Sequence, residues 1–277
     1  MEDILKIYLK NIKTFEILVN KAMNLSCKFF RRRVDTWEEQ IASDIFGRIC
    51  TISFSLLKLI PESEIYKKIN AIKLWDYSSI CILSRTLLDS YLIFYHYCID
   101  IPSDENERNF KKLFWNYYND YKSIKNLDLM KSQNSYLEII KERKNIALQQ
   151  IENNHYFQSQ PDGIKKNLKK CIIFKIPNNA DIARKASIDG NFYYATNQYL
   201  SSYIHSDSFC IDQIAIFKAG TEDAYRLIGT VLYYMIIFLS LSIRDFFKIF
   251  PIINTDIDES ILNIIKVFEK LARNEDE

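Results

Sequence analysis

Apolar residues recur at helical spacing along most of the chain. In the opening segment they form one stripe, made of Ile4, Ile7, Tyr8, Ile12, Phe15 and Leu18. This pattern predicts a first amphipathic helix over residues 2–30. A second helix is predicted from Asp35 or Thr36 to about Ile60, because Thr36 and Glu39 have the spacing of a capping box.

The helical pattern continues to the C-terminus, with one less regular stretch. We predict helices over 65–99, 104–125, 134–153, 192–206 and 222–250, then an amphipathic helix followed by an acidic tail at 271–277. Residues 154–191 hold two of the five prolines and two of the five glycines, so they predict short helices and loops. Because no repeat or linker divides the chain, we predict one all-α domain over 1–277, a multi-helix bundle with long buried central helices.

Composition supports this fold class. The chain has only five glycines and five prolines, and so few helix breakers favour long helices over many short strands. It also has 18 Phe and 18 Tyr, which supply large apolar surfaces for a wide core. The apolar fraction of 48% and the charged fraction of 26% are those of a soluble globular protein.

Charge narrows the possible partners. The formal net charge of +2 excludes a broad basic footprint but leaves room for a local patch. Residues 141–185 hold ten Lys or Arg and four Asp or Glu, a net charge of +6 (10 − 4). We interpret this segment either as a solvated helix face or as a surface for RNA or a partner protein.

No motif predicts a metal or a cofactor. The six cysteines are widely spread, with neither a CxxC pair nor the spacing of zinc ligands, and most read as buried apolar residues. The chain also lacks a P-loop, a GxGxxG turn and an HExxH helix. Because MEDILKIYLK has no uninterrupted apolar run, we expect no export signal and a reducing, cytoplasmic location.

One apolar stretch could form either a buried core helix or a membrane-associated helix. Seventeen uncharged residues, Leu227–Ile243, separate Arg226 from Arg244, which approaches the length of a membrane span. The stretch also contains Thr230 and Ser240 among other polar residues. We therefore predict a buried central helix and no membrane contact, with a membrane-associated helix as the alternative. The sequence leaves open whether the chain forms a homo-oligomer.

The polar residues of the apolar segment 77–99 are predicted to share one face. Arg85 and Asp89 are four residues apart, Ser78 lies seven before Arg85, and His96 lies seven after Asp89. Buried charges are costly unless they are paired. The stripe therefore predicts either an internal ion pair that fixes helix packing or the lining of a pocket.

A second group of candidate residues lies on the helix predicted over 192–206. Tyr199, Ser202 and His205 can converge on one side of it, and an imidazole can act as an acid or a base near neutral pH. Asp89 could orient His205, and Ser201 or Ser202 could serve as a nucleophile, although no GxSxG elbow is present. The hypothesis is that His205 meets the Arg85–Asp89 pair inside the bundle.

Two stretches also carry a family resemblance. SICILSRTLLDSYLIFYHY resembles the helix with the pattern L-x-R-[ST]-x-x-[ED] of a large uncharacterised all-helical bacterial family. ARKASIDGNFYYATNQYLSSYIHSD is similar to that family's later tyrosine, serine and histidine pattern. The matching positions are Arg85, Asp89, Tyr199, Ser202 and His205. The resemblance implies an all-helical, distantly HEPN-like protein of a bacterial defence or toxin–antitoxin system.

The resemblance leaves the activity open, including whether the chain is an enzyme. HEPN ribonucleases carry an Arg followed a few residues later by a His, but no arginine lies just before His205. We therefore expect a binding or regulatory component of a defence or stress system. The alternative is a metal-independent ribonuclease in which His205 works with Arg85 from the other helix, while Asp89, Tyr199 and Ser202 complete the site.

Overall fold

The computed structural model describes residues 2–29, 32–69, 75–131, 136–205, 208–251 and 258–274. These residues form thirteen α-helices and one π-helical turn and contain no β-strand, so the prediction of an all-α fold is confirmed. Ser206 and Asp207, which follow His205, and the end of the predicted acidic tail at 275–277 lie outside the described residues.

The helices follow one another in this order: α1 Glu2–Phe29, α2 Trp37–Leu59, α3 Glu64–Ile69, α4 Tyr77–Phe94, the π-helical turn Tyr95–Ile99, α5 Glu105–Leu129, α6 Leu137–Glu152, α7 His155–Gln158, α8 Asp162–Lys169, α9 Asn179–Lys185, α10 Gly190–Ser202, α11 Ser208–Ile216, α12 Glu222–Ile249 and α13 Glu259–Ala272.

The chain packs as two compact units. Unit 1 combines Met1–Ile99 with Asn179–Glu277, and unit 2 is the contiguous segment Asp100–Asn178 between them. Each unit is described by itself below. The expectation of one domain over 1–277 stays a prediction.

Helix α12 is the centre of unit 1. It packs against α1, α2, α4 and α13, and its buried face includes Ile228, Leu232, Ile236 and Phe246. Among the described residues it is the one helix long and apolar enough to cross a membrane, and 67% of its apolar stretch is buried inside the protein. The prediction that Leu227–Ile243 forms a buried central helix is therefore confirmed.

Unit 2 is built on α5 and α6, which pack against each other and against the short helix α7, and Leu168 of α8 joins their core. Its core consists mainly of aromatic and aliphatic side chains: Phe110, Phe114, Tyr117, Ala147, Ile151, Phe157, Leu168 and Cys171. Phe110 stacks on Phe114 at 5.6 Å and on Phe157 at 6.1 Å between ring centroids. The high aromatic content of the sequence is thus used to fill this small core.

Side-chain caps set where several helices begin. At α2 the Glu39 amide donates to Oγ1 of Thr36, and the Thr36 amide donates to Oε2 of Glu39, which confirms the predicted capping box. Asp189 caps α10 by accepting from the Phe192 amide at 2.8 Å. These caps satisfy amide groups that have no partner within the helix.

Two predicted helix boundaries are wrong. The single helix expected over 65–99 is broken into α3 and α4, because Asp76 caps a new helix by accepting from the Ser79 amide at 3.0 Å. The helix expected over 192–206 ends at Ser202, and a further helix, α11, was not predicted at all. Six of the nine residues of α11 are apolar and they lie on all sides of the helix, so α11 lacks the amphipathic period that marks the other helices.

Candidate functional site

Helix α4 carries the guanidinium–carboxylate pair that the sequence predicts. Arg85 and Asp89 form an ion pair along one face of the helix. The Arg85 side chain is 12% exposed and the Asp89 side chain is 39% exposed, so the pair lies at the edge of the core of unit 1. Water screens a pair at this depth only in part, so removing either partner would leave a charge that is poorly solvated.

Two neighbouring helices supply further polar contacts to this pair. Nε of Arg85 donates to Oγ of Ser201 in α10 at 3.1 Å, and Nδ2 of Asn179 in α9 donates to Oδ1 of Asp89 at 3.4 Å. Burial raises the pKa of the nearby Tyr193 hydroxyl, while Arg85 lowers it and Asp89 raises it. The pair therefore ties α4 to both α9 and α10.

Tyr199 lies in an aromatic cluster formed by α4 and the end of α10. Its hydroxyl shares a hydrogen bond with the Tyr77 hydroxyl, and the Tyr203 ring meets the rings of Tyr77 and Tyr199 edge to face at 5.3 and 5.7 Å. Burial raises the pKa of all three hydroxyls. They are therefore protonated at neutral pH and are suited to hydrogen bonding within the fold rather than to proton abstraction.

Ser202 and His205 lie at the far end of α10. The Ser202 hydroxyl donates to the backbone carbonyl of Gln198 at 3.4 Å, one turn back in the same helix. His205 is exposed in the turn that follows Tyr203. The hydroxyl that reaches Arg85 is therefore that of Ser201. The roles assigned to Ser202 and His205 from the sequence stay predictions.

His96 is placed differently from Arg85 and Asp89. It lies in the π-helical turn, where it is 1% exposed, and this turn packs against α2 and α12. A π-helical turn contains more residues per turn than an α-helix and so rotates the residues that follow it. The prediction from the sequence places His96 on the same face as Asp89 by assuming a regular α-helix over the seven-residue interval between them, and so it does not include this rotation.

A second polar cluster lies deeper in unit 1 and was not predicted from the sequence. Asp245 of α12 is fully buried and accepts from the Tyr91 hydroxyl at 3.0 Å and from Nε and Nη2 of Arg244 at 2.8 Å. Nζ of Lys248 also lies 2.8 Å from Asp245. Nη1 of Arg244 donates to Glu269 of α13 at 2.8 Å, so the cluster joins α4, α12 and α13.

The electrostatics of this cluster are those of a closed network. Burial raises the pKa of the Tyr91 hydroxyl well above its ordinary value, and the Asp245 carboxylate raises it further. Burial acts to lower the pKa of Arg244, but the hydrogen bonds and charge of Asp245, together with the charges of Tyr91 and Glu269, raise it above its ordinary value. Each charge has an opposite charge beside it, as the cost of burying an unpaired charge requires.

The basic segment 141–185 is divided between the two units, with residues 141–178 in unit 2 and 179–185 in unit 1. At least five of its ten cations are in ion pairs: Lys141 with Glu138, Arg143 with Asp120, Lys165 with Asp162, Lys169 with Glu152 and Arg184 with Asp181. Because Asp120 and Glu138 come from outside the segment, its net charge of +6 overstates the positive charge that is free to meet a partner.

A groove of about 690 Å³ opens on unit 1 beside α1, α10 and α12. Its lining is mainly aromatic and aliphatic, and it includes Tyr8, Phe192, Tyr225, Arg226, Tyr233 and Tyr234. Arg226 is already paired with Glu222 at 2.8 Å. None of the five residues predicted as site residues lines this groove.

The described residues contain no group of three or more His, Cys, Asp or Glu side chains that could hold a metal ion. All six cysteines lie in the described part of the chain and are free thiols, of which only Cys27 is exposed.

Comparisons with known proteins add no family to this picture. No protein-family model matches the chain, a search of curated proteins finds no match, and a search of solved structures finds none. The fold class therefore stands on the structure alone. The resemblance to a HEPN-like bacterial family stays a prediction.

Proposed function

We propose that this protein is a binding or regulatory component of a bacterial defence or stress system, that it is cytoplasmic, and that it acts by holding an anionic partner rather than by chemistry. The proposal that the protein binds its partner without catalysis rests on the contacts of the Arg85–Asp89 pair. Both charges are engaged by each other and by Ser201 and Asn179, while the imidazole of His205 is exposed beyond the end of α10.

The charge of unit 2 supports an anionic partner. Lys144, Lys166 and Lys170 of the basic segment have no acidic group within ion-pair distance among the described residues, and Lys166 and Lys170 are exposed. Unpaired surface cations raise the local concentration of anions and speed their association. The pairing seen elsewhere in the segment limits this effect to part of the surface.

The test uses the full-length protein and two unrelated acidic polymers, fluorescently labelled polyglutamate and immobilised heparin. We expect both to bind at low ionic strength and to be released as salt is added, because exposed charges are screened within about 10 Å at 0.1 M salt. A protein that ignores both polymers at the lowest salt would have no anion-binding surface, and the proposal would be wrong.

The alternative of a metal-independent ribonuclease rests on one observation. The helix whose Ser201 contacts Arg85 ends only a few residues before His205, so one short segment carries both a contact to the guanidinium and an exposed imidazole. In that alternative, His205 would remove a proton from a 2′-hydroxyl and Arg85 would stabilise the phosphate. It requires a rearrangement that frees Arg85 from Asp89.

A further inference from the structure

Unit 2 presents a row of aromatic and basic side chains along one face of α5. Trp115, Tyr118, Lys122 and Lys125 follow one another at intervals of three, four and three residues, which places all four on a single stripe of the helix. At 1.5 Å per residue, the stripe is about 15 Å long. The half of the stripe nearer the N-terminus is aromatic, and the other half is cationic.

Neighbouring segments extend the row on both sides. The Phe174 ring packs against the rings of Trp115 and Tyr118, at 5.9 and 4.6 Å between centroids. Nζ of Lys175 lies 5.9 Å from the centre of the Phe174 ring, and Nζ of Lys122 lies 5.3 Å from that of Tyr118. The three rings therefore form one group, and an ammonium group lies within cation–π distance of two of them, Tyr118 and Phe174.

Lys144 of α6 joins the same surface. It lines a cavity of about 450 Å³ together with Tyr121 and Lys125, and Asp128 is the one carboxylate in that lining. Burial raises the pKa of the Cys171 thiol to about 11, while the ammonium groups of Lys122 and Lys144 both act to lower it. Both lysines therefore lie close to Cys171.

We infer that this surface binds single-stranded RNA, with the lysines on phosphates and the rings stacked on bases. We call it the α5 strip, and it consists of Trp115, Tyr118, Lys122, Lys125, Lys144, Phe174 and Lys175. The inference rests on the proposed function and names the anionic partner.

One observation and two physical arguments favour a single-stranded nucleic acid over an acidic protein. The rings of Trp115, Tyr118 and Phe174 are half-buried, which leaves part of each ring open to a base. Stacking on aromatic side chains requires bases that are not already paired and stacked in a duplex. An acidic peptide would use the lysines but would gain nothing specific from a row of rings.

Three of the four cations of the strip, Lys122, Lys125 and Lys144, are available to a ligand. No acidic side chain lies within ion-pair distance of Lys122, Lys125 or Lys144 among the described residues, and Lys122 and Lys125 are exposed. Each phosphate that a lysine neutralises on a single strand adds about 0.7 to the slope of log affinity against log salt. Lys122, Lys125 and Lys144 therefore predict a slope of about −2.

The experiment measures fluorescence anisotropy of labelled oligo(U) RNA with the full-length protein, with the oligo(U)·oligo(A) duplex and polyglutamate as comparison probes. We expect the single strand to bind roughly tenfold more tightly than the duplex. We also expect oligo(U) to quench Trp115 fluorescence, a signal that Trp115→Phe should remove while Trp75→Phe retains it.

Matched variants distinguish binding at the α5 strip from nonspecific attraction of RNA to exposed lysines elsewhere. Lys122→Gln/Lys125→Gln removes two exposed, unpaired lysines three residues apart on α5, and Lys10→Gln/Lys13→Gln makes the same change on α1 of unit 1. We expect the α5 pair to weaken oligo(U) binding by at least about tenfold and to reduce the salt slope by about 1.4. The α1 pair should change neither value appreciably.

A further pair tests the rings. Tyr118→Leu should weaken oligo(U) binding roughly tenfold and leave duplex binding unchanged, because only the stacked bases lose a partner. Tyr194→Leu, at a tyrosine of unit 1 that is 68% exposed, is the control. Circular dichroism of each variant shows whether the fold is intact.

Three outcomes would overturn the inference: equal affinity for single strand and duplex, equal effects of the α5 and α1 lysine pairs, or no effect of Tyr118→Leu in a folded protein. If polyglutamate still binds in those cases, the proposed anion-binding function stands and only the RNA assignment fails. If no acidic polymer binds, both fail together.

Discussion

The Arg85–Asp89 pair shows how single residues hold unit 1 together. The pair lies on α4, yet its outer contacts come from Ser201 and Asn179, which belong to two other helices. A spacing of four residues in an apolar helix was enough to predict the pair itself, because both side chains must share a face. The sequence could not select Ser201 over Ser202, since that choice depends on how α10 is rotated against α4.

Replacing Arg85 tests this structural role. Arg85→Ala removes the partner of Asp89 and the donor to Ser201. We expect the free energy of unfolding to fall by about 2 kcal/mol. This loss is smaller than that for a fully buried pair because Asp89 is partly hydrated. Chemical denaturation measures the change. Arg226→Ala breaks an exposed pair of the same spacing on α12 and should cost no more than about 0.5 kcal/mol. An Arg85→Ala protein as stable as this control would refute the role.

Asp245 should be the more sensitive residue. Asp245→Ala leaves Arg244 and the Tyr91 hydroxyl without their buried acceptor, and we expect a loss of about 3–5 kcal/mol in the free energy of unfolding. The measurement is again denaturant unfolding, compared with Glu269→Ala, which removes the outer partner of Arg244 and an exposed pair with Arg273. If the two variants lose the same free energy of unfolding, the buried contacts of Asp245 contribute no more stability than the outer contact of Glu269, and the prediction is wrong.

At the scale of helices, local signals in the sequence place the bounds of α1, α2 and α12 within one residue of the observed ones but miss breaks inside apolar stretches. The Thr36–Glu39 capping box was predictable because both side chains bond to backbone amides within three residues. Asp76 caps α4 by the same chemistry, but the apolar residues on either side of it suggested one continuous helix. The π-helical turn at Tyr95–Ile99 has no local signal in the residues that form it, and α11 lacks an amphipathic period.

The capping box offers a test at this scale. Thr36→Ala removes the acceptor of the Glu39 amide at the start of α2, and we expect a loss of about 1 kcal/mol in the free energy of unfolding. Thr14→Ala changes the same residue type inside α1, where alanine is the better helix former, and should be neutral or slightly stabilising. Thermal unfolding followed by circular dichroism compares the two. Equal effects would mean that the cap contributes nothing beyond helix propensity.

At the scale of the whole chain, the contiguous segment 100–178 has a core of its own. Its buried aromatic and aliphatic residues, such as Phe110, Phe114 and Phe157, all belong to this segment. No Pro- or Gly-rich linker marks its ends in the sequence, so composition alone suggested one domain. Long-range packing decides this division, and helical periodicity carries no information about it.

Unit 2 should therefore fold when it is produced alone. We expect residues 100–178 to be helical by circular dichroism and to unfold in one cooperative thermal transition, because the segment contains the complete core cluster. Phe114→Ala within this segment should lower the transition temperature, since it empties the stack around Phe110. A segment that is helical but melts without cooperativity would show that its core depends on the rest of the chain.

The membrane alternative is also decided at this scale. Because two thirds of the apolar stretch of α12 is buried against other helices, we expect the protein to stay in the soluble fraction after cell lysis without detergent. Sedimentation with the membrane fraction, with release only by detergent, would support the alternative reading of Leu227–Ile243.

The most direct test of the account follows the fate of bound RNA. Labelled oligo(U) is incubated with the full-length protein over a range of pH, and anisotropy and denaturing gels are recorded from the same samples. We predict that the RNA is bound and stays at full length, because Arg85 is held by Asp89 and Ser201. RNA fragments that disappear in a folded His205→Ala variant would contradict the account and establish the ribonuclease alternative.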